Sequence, residues 1–110
     1  MSFDELTENE KVVFDTFVEL MKKIGRIGMF TFFEKKVGPC GVCVYKENGK
    51  WITYDYERNE INGYVEYDNI YQLCIYIFKS LDKKSTDYCM KVFPELVQEN
   101  LSKGNSHRTR

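Results

Sequence analysis

Apolar residues recur at helical spacing in three segments of the chain. The first follows Thr7-Glu8-Asn9-Glu10, a capping box in which Thr7 and Glu10 satisfy each other's backbone amides. Its apolar positions lie three and four residues apart up to Ile24, and Gly25 suits the position after a helix C-terminus. The pattern predicts an amphipathic helix, which is more often a core element than a membrane or partner helix.

Two further helices are predicted near the C-terminus. Asp68 or Asn69 is expected to cap the second, whose apolar positions run to Leu81. Ser85-Thr86-Asp87 is expected to open the third, with Pro94 kinking or restarting it. Residues 103–110 are polar and predict a disordered basic tail after a single domain over residues 1–102.

Between residues 29 and 67 the hydrophobic period changes to two, which is typical of strands. Asn48-Gly49 is a strong hairpin signal because both residues tolerate positive φ, and Arg58-Asn59 predicts a second tight turn. The predicted strands cover Met29–Lys35, Gly41–Lys46, Lys50–Tyr56 and Ile61–Tyr67. The fold expected is therefore α+β: an N-terminal helix, a four-stranded antiparallel meander and two C-terminal helices.

A two-residue turn at Asn48-Gly49 pairs Glu47 with Lys50 and fixes which side chains share a face. One face is apolar and is expected to lie under the helices: Gly41, Cys43, Tyr45, Ile52, Tyr54, Tyr56, Ile61, Val65 and Tyr67. The other face is mixed polar and aromatic: Val42, Val44, Lys46, Trp51, Thr53, Asp55, Asn62, Tyr64 and Glu66. It is either an ordinary solvated face or a contact surface anchored by Trp51 and Tyr64.

The amino-acid composition favours the second possibility, a contact surface. The 110 residues include no alanine, and seven of the eight tyrosines lie between Tyr45 and Tyr76. The formal net charge is −1, but residues 47–68 hold six acids against Lys50 and Arg58. A direct nucleic-acid binder needs a basic face, so this balance argues against one. There is no secretory signal or membrane-length apolar run, and a cytoplasmic protein is expected.

The residue types used in catalysis and metal binding are sparse. Cys40-Gly41-Val42-Cys43 is a CxxC motif, but it enters a strand rather than a helix and no second pair accompanies it. Ordinary thiols are therefore favoured over a zinc or redox site, and Cys74 and Cys89 are expected to be free as well. The single histidine, His107, lies in the predicted tail. We expect a protein that is not an enzyme and needs no metal or cofactor.

The segment Tyr45-Lys46-Glu47-Asn48-Gly49-Lys50-Trp51-Ile52-Thr53-Tyr54-Asp55-Tyr56-Glu57-Arg58-Asn59 resembles small immunity proteins of bacterial polymorphic toxin systems, and immunity protein 59 in particular. The likeness extends over about residues 40–81 and includes Leu73 and Cys74. It implies a non-catalytic protein that binds one cognate toxin domain, for which a nuclease with a basic cleft is a candidate.

An acidic, aromatic surface would complement such a cleft. The predicted partner-binding residues are Trp51, Thr53, Asp55, Glu57, Arg58, Glu60, Tyr64 and Glu66. The alternative is a small regulatory or adaptor domain that binds a peptide or small ligand, or that homodimerises through its open sheet face.

Overall fold

The computed structural model describes residues 2–108, with side chains for residues 2–103. The elements are α1 (Glu8–Lys23), β1 (Phe30–Phe32), β2 (Cys40–Glu47), β3 (Lys50–Glu57), β4 (Glu60–Tyr67), α2 (Ile70–Lys79) and α3 (Lys83–Arg108), with 3-10 turns at Phe3–Glu5 and Ile27–Met29. An α+β fold with one N-terminal helix, four strands and two C-terminal helices is confirmed. α3 extends to Arg108 and so includes residues 103–108 of the predicted tail, while residues 109–110 lie outside the described residues.

The ends of α1 form as its sequence predicts. The Thr7 hydroxyl accepts the Glu10 amide at 3.2 Å, and the Glu10 carboxylate accepts the Thr7 amide at 2.9 Å. At the other end Gly25 adopts φ 75°, and the Arg26 amide donates to the Met21 carbonyl at 2.8 Å. This is a Schellman motif, which needs a left-handed residue where glycine stands.

The C-terminal helices begin at asparagine and aspartate caps. Asn69 accepts the Gln72 amide at 2.9 Å, so the second of the two predicted caps is used. α3 begins at Lys83, earlier than predicted, because the Asp82 carboxylate accepts the Ser85 amide at 3.1 Å. Pro94 lies inside α3, which packs along α1.

The sheet has the strand order β1-β2-β3-β4 and is mixed, so the prediction of an antiparallel meander is wrong for its first strand. β1 pairs parallel with β2, with Phe30 opposite Val42 and Phe32 opposite Val44. Phe33, at φ 64°, ends β1. Residues 33–39 then return the chain to the start of β2, so that both strands run in the same direction. We call residues 33–39 the strap.

Both predicted hairpins are confirmed. Asn48 and Gly49 have φ values of 52° and 77°, and Arg58 and Asn59 have 53° and 66°. β2 and β3 pair in the predicted register, with Glu47 opposite Lys50, Tyr45 opposite Ile52, Cys43 opposite Tyr54 and Gly41 opposite Tyr56. Ile61 lies opposite Tyr56, also as predicted.

A bulge in β4 changes the faces of the residues that follow it. Asn62 pairs with Asp55, but Val65 pairs with Thr53, so β4 has one residue more than β3 over this interval. Gly63, at φ 64°, provides the left-handed conformation that such a bulge uses. Tyr64 and Glu66 therefore lie on the face opposite Trp51, contrary to the prediction, while Val65 and Tyr67 move to the face of Trp51.

The helices cover the other face of the sheet from the one predicted. Trp51 has 0% exposure and belongs to the main core with Val44, Phe17 and Leu73. The face predicted to lie under the helices is instead packed by its own side chains and by the strap. It holds a second buried cluster, namely Cys43, Tyr45, Ile52, Tyr54 and Tyr56. We call it the tyrosine face, and it also carries Ile61, Tyr64 and Glu66.

Candidate protein-binding surface

Trp51 and Thr53 are part of the core, so their predicted role in partner binding is wrong. The Trp51 indole donates to the Glu10 carboxylate of α1 at 2.8 Å. The Thr53 hydroxyl, on a residue that is 2% exposed, donates to the Cys43 carbonyl at 2.8 Å. Neither side chain can reach a partner while the domain is folded.

The strap is fixed to the tyrosine face through Tyr54. The Tyr54 hydroxyl donates to the Lys36 carbonyl at 2.9 Å and accepts the Lys36 amide at 3.0 Å. The Cys43 thiol also donates to the Lys36 carbonyl, at 3.4 Å. Burial raises the pKa of Tyr54 from its ordinary value of 10 to about 12, so the phenol stays a hydrogen-bond donor even in moderately alkaline solution. The strap is therefore a bound part of this face.

Three aromatic rings form a row across the tyrosine face. Tyr45 and Tyr54 meet edge to face with ring centroids 6.2 Å apart. Tyr54 and Tyr64 are stacked at 6.4 Å, with 14° between their planes. Tyr64 lies at the exposed end of the row because β4 is the edge strand.

Exposed apolar side chains concentrate on this side of the molecule. Within residues 2–103 the large apolar residues that are most exposed are Val37, Ile61, Tyr64 and Met29. Val37, Ile61 and Tyr64, which are 46%, 52% and 50% exposed, line one shallow depression of about 250 Å³ with Tyr45, Tyr54, Lys35 and Lys36. Clustered apolar exposure of this kind is typical of protein contact surfaces.

Glu66 lies beside the exposed end of the aromatic row. The Tyr64 hydroxyl donates to Glu66 Oε2 at 2.8 Å, and this bond raises the pKa of Tyr64 to about 12. These two predicted residues are therefore adjacent, although on the face opposite to the one predicted.

The acids of residues 47–68 divide into two groups. Glu47 is paired with Lys35 at 2.9 Å, and Asp68 is paired with Lys50. Among the described side chains, no cationic group lies within 4.0 Å of the other four, which are Asp55, Glu57, Glu60 and Glu66. Only Glu66 of this second group lies on the tyrosine face. Strand alternation places Asp55, Glu57 and Glu60 on the same face as Trp51.

Asp55, Glu57 and Glu60 lie near the β3–β4 turn, beyond the part of the sheet that the helices cover. Asp55 and Glu57 border an open depression of about 600 Å³, which Met29 and Asn62 also line. Partial burial raises the pKa of Asp55. Arg58 is exposed at the turn, where its backbone amide donates to the Pro39 carbonyl at 2.8 Å.

The two cysteines of the CxxC motif point away from each other. Cys40 is exposed, whereas Cys43 is buried against the strap, and Cys74 and Cys89 are buried in the main core. All four are free thiols. Over the described residues, no group of three His, Cys, Asp or Glu side chains is arranged to hold a metal ion.

Sequence reasoning missed Val37 as a surface residue and assigned Ile61 to the covered face. The placement of Ile61 follows from the wrong choice of covered face. Gly63 is the signal for a separate error, the placement of Tyr64 and Glu66, since an isolated glycine within a strand pattern suggests a bulge. A bulge at that position reverses the faces of Tyr64 and Glu66 relative to Trp51. It would not have revealed which face the helices cover.

Comparisons with family models, with curated proteins and with solved structures found no match to this chain. Over the described part of the chain, none of the helices combines the length and apolar character needed to cross a membrane.

Proposed function

We propose that this chain is an immunity protein that binds a cognate bacterial toxin domain and neutralises it by non-catalytic occlusion. The observation that carries the proposal is the clustering of Val37, Ile61 and Tyr64 on the tyrosine face. Aromatic and aliphatic anchors of this type contribute most of the affinity at protein interfaces when a partner excludes water from them.

The charges indicate what kind of protein would bind. Glu66 lies on the tyrosine face, and Asp55, Glu57 and Glu60 lie on the opposite face near the β3–β4 turn. Among the described side chains, no cationic group lies within 4.0 Å of these four acids. A partner with a basic surface, as in a toxin that cleaves nucleic acid, would supply complementary charge. Such complementarity chiefly accelerates association and excludes wrong partners.

The decisive experiment is co-expression with a toxin domain, if one is encoded by a neighbouring gene. We expect the chain to restore growth of the host and to co-purify with the toxin as a one-to-one complex. A toxin that kills equally well with and without the chain, and does not bind it, would contradict the proposal. A chain that instead purifies as a homodimer through the tyrosine face would favour the alternative, self-associating function.

Matched variants test the surface itself. Ile61→Ser combined with Tyr64→Ala removes two exposed anchors, and we expect toxin affinity to fall at least about tenfold with little change in stability. Gln98→Ala is the control, because Gln98 is exposed on α3 and lines neither the tyrosine-face depression nor the depression beside Asp55 and Glu57. Equal affinity of the double variant and the wild type would exclude this face as the binding surface.

A further inference from the structure

The Tyr64 ring is held in a fixed orientation at the edge of the sheet. It stacks on Tyr54, whose own hydroxyl is fixed by two bonds to the Lys36 backbone. The Tyr64 hydroxyl is fixed in turn by Glu66. Half of the Tyr64 side chain nevertheless remains exposed. This is an ordered aromatic surface available to a ligand.

The Glu66 carboxylate, which lies beside the Tyr64 ring, can accept further hydrogen bonds. Of its two oxygens, Oε2 accepts the Tyr64 hydroxyl, and a carboxylate can accept about four hydrogen bonds. The two lysines on neighbouring strand and strap positions are already engaged, Lys50 by Asp68 and Lys35 by Glu47. Among the described side chains, no cationic group lies within 4.0 Å of Glu66, although the Lys50 ammonium, which is bonded to Asp68, also interacts with it electrostatically.

We propose that Tyr64 and Glu66 together form a receptor for an arginine side chain of the protein partner. A guanidinium group is planar, so it can stack on the tyrosine ring and direct its N–H fork to the carboxylate. A lysine ammonium can also approach the ring and pair with the carboxylate, but as a compact point charge it can neither stack flat on the ring nor present a planar N–H fork. This inference rests on the proposed function and specifies the partner chemistry at one position.

The arginine receptor can be tested without the toxin. The ¹H–¹⁵N NMR spectrum of the full chain is recorded during titration with arginine amide, with lysine amide, and with citrulline amide, the uncharged isostere of the first. We expect saturable shifts at Tyr64, Glu66 and their neighbours with arginine amide, weaker shifts with lysine amide, and none with citrulline amide. Equal responses to arginine and citrulline amides would overturn the proposal.

Two variants of β4 provide the matched comparison. Glu66→Gln and Glu60→Gln each remove one negative charge, but Glu60 pairs with Glu57 at the turn and lies away from the Tyr64 ring. We expect Glu66→Gln to weaken arginine-amide binding at least about threefold and Glu60→Gln to leave it nearly unchanged. Equal weakening by both would show a diffuse charge effect and would contradict a defined receptor.

The aromatic half of the receptor is tested by Tyr64→Leu. It keeps an apolar side chain but removes the π-face and the hydroxyl, and we expect it to reduce the preference for arginine over lysine, since only the N–H fork to Glu66 remains. An unchanged preference would overturn the stacking role of Tyr64. The arginine-amide titration does not depend on the toxin. If the chain neutralises the toxin but arginine amide does not bind at Tyr64 and Glu66, only the arginine receptor is rejected. Binding of arginine amide without toxin neutralisation would reject only the immunity function.

Discussion

The Trp51 indole and the Lys46 ammonium both donate to the same carboxylate oxygen of Glu10, each at 2.8 Å. The other oxygen of Glu10 accepts the Thr7 amide in the capping box. One carboxylate on α1 therefore links the start of that helix to both strands of the central hairpin. Its side chain is 16% exposed, so these bonds are partly shielded from water.

Replacement of Glu10 by glutamine should reveal this link in the pH dependence of stability. Burial of the carboxylate raises its pKa, but bonds with Lys46, Thr7 and Trp51 outweigh that effect and hold the pKa below its ordinary value of 4.5. A lowered pKa in the folded state contributes stability above the unfolded-state pKa, and this is lost as pH falls through the folded-state value. We expect the Tm of Glu10→Gln to decline less steeply below about pH 5 than the wild-type Tm.

Glu10→Gln should also lower the free energy of unfolding at neutral pH by about 1–3 kcal/mol, because the charged acceptor of the Lys46, Trp51 and Thr7 hydrogen bonds is replaced by a neutral one. Glu19→Gln is the control, since Glu19 is exposed on the same helix. If Glu10→Gln and Glu19→Gln have parallel pH profiles, the Glu10 link does not account for acid sensitivity.

Trp51→Ala should destabilise the domain by about 3–5 kcal/mol, the usual cost of deleting a fully buried aromatic side chain. Chemical unfolding followed by circular dichroism measures this directly. Trp51→Phe keeps much of the volume but loses the bond to Glu10, so we expect a smaller loss. Toxin affinity per folded molecule should be unchanged in both variants, and a selective loss of affinity in a fully stable Trp51→Ala protein would contradict the core assignment.

Gly63→Ala should destabilise the chain by about 1–2 kcal/mol, because a non-glycine residue is strained at positive φ. Steric conflict is not the cause, since the closest atom to an added Cβ would be the Tyr76 hydroxyl oxygen at 3.9 Å. Gly28→Ala is the control, with open space and no positive φ. A stable Gly63→Ala variant with unchanged β4 amide shifts would argue against the bulge.

Gly41→Ala should destabilise for a different reason. An added Cβ would overlap the phenol of Tyr56, which lies across Gly41 on the neighbouring strand. We expect Tyr56→Leu to be individually destabilising but to suppress part of the additional cost of Gly41→Ala. A double-mutant cycle measures this coupling, and strict additivity would mean that the ring moves aside freely.

Thiol labelling should distinguish Cys40 from the other cysteines. In the native protein we expect one rapidly reacting thiol, which Cys40→Ser removes, because Cys40 is exposed and Cys43, Cys74 and Cys89 are buried. Burial also raises the pKa values of Cys74 and Cys89, which lowers their reactive thiolate fraction. Two rapid thiols in the native state would show that the strap does not protect Cys43.

Local signals in the sequence predicted the local structure well. The Thr7 capping box, the Gly25 helix end and both two-residue turns depend on residues close in sequence, and each forms as expected. The hairpin register follows from those turns and is also correct. These features can be predicted without knowing the tertiary packing of the helices and the sheet.

The tertiary arrangement was harder to predict because both faces of the sheet carry apolar side chains. Trp51, Val44 and Thr53 suit a covered face as well as Tyr45, Ile52 and Tyr54 do, and hydrophobic alternation cannot choose between them. The choice depends on the strap, whose path follows from the left-handed Phe33 and from parallel pairing of β1. Neither has a recognisable signal in a single sequence.

The bulge at Gly63 also affects what the edge of the sheet can do. A long, regular edge strand presents an even row of unpaired backbone groups, which another strand can copy and extend. In β4 that row is interrupted near its centre, so two copies of the chain cannot align their full edge strands in register. The bulge therefore disfavours aggregation through the edge of the sheet, even though β4 is an open edge strand next to an exposed aromatic face.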